Sequence, residues 1–144
     1  MLRFLCPNDF ARSVFDIDLD RLKERGISGL IVDLDNTLLP WAEEDVTEEA
    51  VNWIAKAKSK GFSICIASNA LASRVRQIAD RLGVPAIHKA VKPRKRPFRQ
   101  ALEILNLPPS QVAVVGDQVF TDVLGGNRMR LYTILINPVS RREL

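Results

Sequence analysis

The chain has 144 residues, 47% hydrophobic and 26% charged, with 21 Lys and Arg against 17 Asp and Glu for a net charge of +4. That length suits one domain spanning 1–144, with a core of its own and no room for a second full module. No apolar run approaches the roughly 20 residues that span a bilayer. The start, Met1-Leu2-Arg3-Phe4-Leu5-Cys6-Pro7, lacks the apolar stretch and small-residue cleavage site of a secretory signal. A cytoplasmic protein is expected.

Taken in chain order, the first chemical pattern is Cys6 with Arg12, which fits the Cys-x5-Arg spacing of cysteine phosphatases. That loop must aim successive N–H groups at phosphate, yet Pro7 has none and no glycine eases the turn. Cys6 is therefore not expected to be a nucleophile. Asp16-Ile17-Asp18-Leu19-Asp20 follows no β-branched run, and its acids suit the start of a short helix, Leu19 to Arg25.

Gly29-Leu30-Ile31-Val32-Asp33 is apolar without alternation, the mark of a strand buried on both faces. It delivers Asp33-Leu34-Asp35-Asn36-Thr37, where Asn36-Thr37 favours a turn. Two acids at that spacing are more often a solvated loop than a site when nothing else supports them. A helix over Glu48 to Lys60 follows, with Thr47 as cap, acids in its first turn and Gly61 after it.

The run Phe62 to Ala67 reads as a second buried strand, with Cys65 as a small core hydrophobe. It ends in Ser68-Asn69-Ala70 before a helix over Ala72 to Leu82, closed by Gly83. Ser68 and Asn69 suit a helix cap and equally suit a bound phosphate. A strand at Ala86 to Lys89 leads to Lys92-Pro93, a cation held by a rigid neighbour where a phosphoryl group would need one. Residues 88–99 hold six Lys or Arg and no acid, a patch that attracts phosphate-bearing partners: small phosphoesters, nucleic acid or anionic lipid.

After a helix over Phe98 to Leu105, Val112 to Val115 forms a further buried strand. It delivers Gly116-Asp117, with Asp122 five residues on. An aspartate directly after a buried strand needs a partner, and a metal ion is the natural one. A helix over Thr121 to Arg130 and a strand over Leu131 to Ile136 complete the chain. Two cysteines and His88, the one histidine, supply neither a disulfide framework nor a zinc site.

Strands alternating with helices predict parallel pairing and right-handed crossovers: a Rossmann-like three-layer α/β/α sandwich with a mainly parallel five-stranded sheet. Chemistry in such a sheet gathers at the carboxyl ends of the strands. The sites at 33, 68, 92 and 117 are each separated by about one strand–helix–strand unit of roughly 30 residues, so all four reach the same edge.

Asp33-Leu34-Asp35-Asn36-Thr37, Ser68-Asn69, Lys92-Pro93 and Gly116-Asp117 through Asp122 resemble, in order, the four motifs of the haloacid dehalogenase (HAD) superfamily. With Leu38 and Val123-Leu124-Gly125-Gly126-Asn127 they resemble its YqeG-type subfamily IIIA phosphatases, a group similar to mitochondrial phosphatidylglycerophosphate phosphatases. The resemblance covers nearly the whole chain. Arg94-Lys95-Arg96 is more basic than that pattern and bears on the substrate.

The resemblance implies a Mg²⁺-dependent phosphohydrolase with Asp33 as nucleophile and Asp35 as general acid and base. Asp33, Asp117 and the Asp35 backbone carbonyl would hold Mg²⁺, and Asp122 would orient bound water or Lys92 from behind. Lys92, Ser68 and Asn69 would bind the phosphoryl oxygens, with Thr37 beside them holding the Asp33–Asp35 turn.

Neither place for a cap, Leu38 to Thr47 or Ala70 to Lys89, has room for one. An open cleft suits a phosphate on something bulky, or a second copy of the chain that completes the lid. Phosphatidylglycerophosphate leads, with Leu2-Arg3-Phe4-Leu5 and Trp41 resting at the inner membrane surface. Nucleic-acid ends, phosphoproteins or a non-catalytic RNA-associated role are the alternatives.

Overall fold

The computed structural model describes residues 2–41, 43–88 and 94–138. Its strands are β1 (Asp9–Ala11), β2 (Gly29–Val32), β3 (Ser63–Ala67), β4 (Ala86–Ile87), β5 (Val112–Gly116) and β6 (Tyr132–Ile136). Its helices are α1 (Leu19–Glu24), α2 (Glu48–Ser59), α3 (Ala72–Leu82), α4 (Lys95–Leu105) and α5 (Leu124–Arg128). All strands join one parallel sheet in the order β1-β6-β5-β2-β3-β4.

The three-layer reading holds because the strands alternate into two separate cores. Leu30, Val32, Ile64, Ile66, Ala113 and Val115 face the apolar sides of α1, α2 and α3, through Leu22, Trp53, Ile54, Val75 and Ile78. Ile31, Cys65, Ala67, Val112 and Val114 face α4 through Phe98, Ala101 and Leu105. Both faces are buried, so the strands needed no polar alternation. Phe98, fully buried, is the largest side chain of the second core.

The sheet has six strands rather than five. The extra one, β1, holds three residues and no apolar run, so periodicity could not reveal it. It is secured at the edge by a backbone bond, Asn8 N–H to Thr133 O (2.9 Å), and by the Asn8 side chain, whose Oδ1 accepts from Thr133 N–H (2.8 Å). This pairing leaves residues 9–11 extended beside β6, which rules out a phosphate-cradling loop between Cys6 and Arg12.

Two helices depart from their expected bounds. α4 begins at Lys95, three residues early, because Pro97 falls in its first turn where a missing N–H costs nothing. The stretch expected as one helix from Thr121 is instead a π-helical turn, Val119–Val123, running into α5. Thr47 caps α2 as expected, accepting from Ala50 N–H, and Asp18 caps α1 by accepting from Arg21 N–H, both at 3.1 Å.

Candidate active site

β2 and β5 are central neighbours in register, Val32 opposite Val115, and Asp33 N–H continues the ladder to Val115 O at 3.0 Å. The two chains therefore release Asp33 and Asp117 side by side at the carboxyl edge. Beyond Gly116 the backbone enters the π-helical turn, whose wide winding returns Asp122 toward the sheet. The carboxylates of Asp33, Asp117 and Asp122 each place an oxygen within 4.8 Å of the others.

Asp122 was expected behind the metal ligands, and its carboxylate lies within 4.8 Å of those of Asp33 and Asp117. It is almost completely buried, at 2% exposure. Gly116 makes this possible, because a Cβ there would overlap the Asp122 side chain. Three clustered carboxylates among buried strands repel one another unless a cation joins them. An all-oxygen set of this kind fits a hard divalent ion far better than a soft one. Such an ion would neutralise charge between Asp33 and an incoming phosphate.

The turn after Val32 closes on itself. Leu34 O accepts from Thr37, Leu38 and Leu39 N–H, and Asn36 N–H donates to Leu39 O at 2.7 Å. Asn36 adopts φ 65°, a left-handed conformation that asparagine tolerates better than most residues. Thr37 is fully buried. Its hydroxyl has no hydrogen-bond partner among the described residues, so it holds the turn through its backbone N–H. It is not among the residues that line the cleft, and its place in the turn is the one expected of it.

Asp35 has a partner that the sequence did not announce. Arg74, on the first turn of α3, puts Nη1 2.7 Å from Asp35 Oδ1, an ion pair by distance although not aligned as a hydrogen bond. The same guanidinium donates through Nε and Nη2 to Glu43 O, at 3.2 and 2.8 Å. Arg81 of α3 pairs with Asp45, and its hydrogen bond holds that carboxyl below the usual carboxylate range. The loop after β2 is thus fastened to α3 at two points. One of them also holds Asp35.

A cleft of about 300 Å³ gathers Asp33, Asp35, Asn36, Trp41, Ser68, Asn69, Ala70, Gln118 and Thr121. An adjoining hollow of about 530 Å³ shares Asn36, Trp41 and Gln118 and adds Asp117. Ser68 is buried and Asn69 exposed. Neither caps α3, whose N-cap is Leu71. Ser68 Oγ instead accepts from Ala70 N–H at 3.1 Å. Lys92 lies outside the described residues, as do the other residues of 89–93. Arg74 belongs to the site although no motif pointed to it, and Gln118, inside the Gly116–Asp122 motif, lines the cleft without a role having been read for it.

Cys65 is fully buried, and burial pushes its thiol up to about 12. Cys6 is exposed. No helix among the described residues is long and apolar enough to cross a membrane. Residues 43–47 carry no helix or strand, and residues 70–88 are taken up by α3 and β4, so no cap domain stands among the described residues.

Comparison with known proteins agrees with this geometry. The family model for haloacid dehalogenase-like hydrolase matches residues 9–130. "Probable phosphatase YqeG" of Bacillus subtilis is 40% identical over 141 residues, covering 98% of this chain and 82% of that protein. The chloroplastic/mitochondrial phosphatidylglycerophosphate phosphatase 1 of Arabidopsis thaliana is 26% identical across 98% of this chain, which spans only 43% of that protein. Among solved structures, the cobalt-bound deoxy-D-mannose-octulosonate 8-phosphate phosphatase of Haemophilus influenzae shares the fold. Its TM-score is 0.60 at 14% identity, covering 84% of this chain and 86% of that one. The chain belongs to the haloacid dehalogenase-like hydrolase family, and within it to the phosphatases.

Proposed function

We propose that the protein is a Mg²⁺-dependent phosphomonoesterase that works through an aspartyl-phosphate on Asp33, with phosphatidylglycerophosphate or a similarly bulky phosphoester as substrate. The observation that carries the reaction is the meeting of Asp33, Asp117 and Asp122 within 4.8 Å at one sheet edge, beside Asp35 and Ser68.

An Asp33 oxygen attacks phosphorus as the ester P–O bond breaks. This splits one difficult displacement into two easier ones. Asp35 protonates the departing oxygen, then takes a proton from the water that cleaves the acyl phosphate, which frees phosphate and restores Asp33. Asp33, Asp117 and Asp122 would hold Mg²⁺, whose charge lets two anions approach. Ser68, Asn69 and Lys92 stabilise the equatorial oxygens.

Support for a bulky substrate comes from the open cleft and from the basic run at 88–99. Its lipid character is supported by the resemblance to phosphatidylglycerophosphate phosphatases. The experiment is phosphate release from a panel of lipid, nucleotide and peptide phosphoesters, with chelator as control. Fastest release from phosphatidylglycerophosphate is expected. Preference for a nucleic-acid end or a phosphopeptide would move the substrate assignment, and no release from any ester would end the enzymatic reading.

A further inference from the structure

Three large apolar side chains stand in solvent around the mouth of the cleft: Trp41, Leu71 and Phe120, exposed by 70%, 72% and 68%. They come from three different loops at the carboxyl edge of the sheet, those after β2, β3 and β5. Trp41 lines the cleft, Leu71 follows cleft-lining Ala70, and Phe120 sits between cleft-lining Gln118 and Thr121. Scattered exposed apolar residues are ordinary on any surface, but convergence from separate loops on one opening is not.

Leu71 adds an argument of its own. It occupies the N-cap of α3 and makes no cap hydrogen bond. Ser, Thr, Asp or Asn would satisfy a free N–H there, so an exposed leucine at this position forgoes local stability. The charges on this edge are equally unfavourable for an isolated protein. α4 starts at the same edge, since it leads back from β4 to β5, and its first turns carry Arg94, Lys95 and Arg96, all exposed, with no acid. Cations oppose a helix dipole at its N-terminus, so an external anion would relieve them. The loop beside Trp41 carries three exposed acids, Glu43, Glu44 and Asp45, of which Asp45 is already paired with Arg81.

We propose that this face docks on the surface of an anionic bilayer. Trp41, Leu71 and Phe120 enter the headgroup layer, and Arg94, Lys95 and Arg96 meet anionic headgroups. Aromatic and aliphatic anchors combined with basic groups are the chemistry of interfacial attachment. A protein partner fits less well, because the three anchors are separated by a polar, acid-lined cleft and do not form the apolar centre of an interface. The inference rests on the reading of the cleft as a site for a bulky phosphoester, and it adds the orientation in which the cleft meets the membrane.

The test uses vesicles of phosphatidylcholine alone or mixed with phosphatidylglycerol, neither of which is a phosphomonoester. The full chain should co-sediment with the mixed vesicles and less with the neutral ones, and high salt should weaken the binding. Trp41 emission should shift to the blue, with buried Trp53 as a constant background. The double variant Leu71→Ser/Phe120→Ser should lose binding by roughly tenfold while hydrolysing p-nitrophenyl phosphate at the wild-type rate. Ser at the α3 N-cap should not harm folding.

Absence of vesicle binding, or unchanged binding in the double variant, overturns the docking. So does burial of the three anchors in a dimer or in a protein complex. p-Nitrophenyl phosphate hydrolysis separates the two readings: if it persists without vesicle binding, the docking fails and the phosphatase stands. If vesicles bind but no lipid phosphoester is hydrolysed, the substrate reading fails and the docking stands.

Discussion

Asp122 lies directly over Gly116, so close that a methyl group at position 116 would overlap its carboxylate. The consequence is that the acid cluster depends on a residue with no functional group. Gly116→Ala should push Asp122 away from Asp33 and Asp117 and weaken Mg²⁺ binding and turnover by roughly 10- to 100-fold. Titration calorimetry with Mg²⁺ and steady-state rates check this, with circular dichroism to show that the fold remains. Asp122→Asn should reproduce the loss with glycine in place.

Arg74 ties Asp35 to the loop through Glu43 O, so removing it should disorient the general acid without touching the nucleophile. Arg74→Ala should slow an alkyl phosphate, whose leaving oxygen needs a proton, by about 10²-fold. p-Nitrophenyl phosphate, whose leaving group departs unprotonated, should slow much less. Arg74→Lys should recover part of the difference. Equal losses on both substrates would reduce Arg74 to a structural fastening.

The two cysteines should differ in reactivity. Burial raises the Cys65 thiol to about 12, so near pH 8 only on the order of one in 10⁴ is thiolate, the reactive form. Cys6 is exposed. A thiol reagent on the native protein should modify Cys6 and spare Cys65 until denaturant is added. Cys6→Ser should leave phosphatase activity unchanged.

Asn127 donates to Phe4 O and Cys6 O, both at 2.8 Å, and accepts from the Thr133 hydroxyl at 2.9 Å. It fastens the N-terminal segment to β6. Asn127→Ala should destabilise the protein by about 1–3 kcal/mol, the cost of leaving such groups unpaired. The denaturant midpoint measures this. Turnover should remain near wild type.

What could be read from the sequence follows from how each feature is encoded. Gly29–Val32, Ser63–Ala67 and Val112–Gly116 announce themselves because a parallel sheet covered on both faces demands unbroken apolar runs. With those strands located, Asp33 and Asp117 fall at the same edge, and their proximity follows. β1 escaped because three edge residues, with Phe10 turned to solvent, carry no periodic signal and depend on Asn8–Thr133 bonds 125 positions apart.

How near Asp122 comes to Asp33 and Asp117 could not be read, because a five-residue spacing does not reveal that the intervening turn is π-helical. Arg74 escaped for a different reason. It sits on α3, but its partners Asp35 and Glu43 lie in the irregular loop after β2, whose folding no local pattern dictates. The chemistry was legible where strands deliver it and hidden where loops do.

The most direct measurement is acid-quenched mass spectrometry of the enzyme during turnover with Mg²⁺. Nucleophilic attack by Asp33 predicts a phosphoryl group on the peptide that contains it, absent in Asp33→Asn and absent when Mg²⁺ is chelated. Phosphate release at the wild-type rate by Asp33→Asn, with no phosphorylated peptide in either protein, would contradict it.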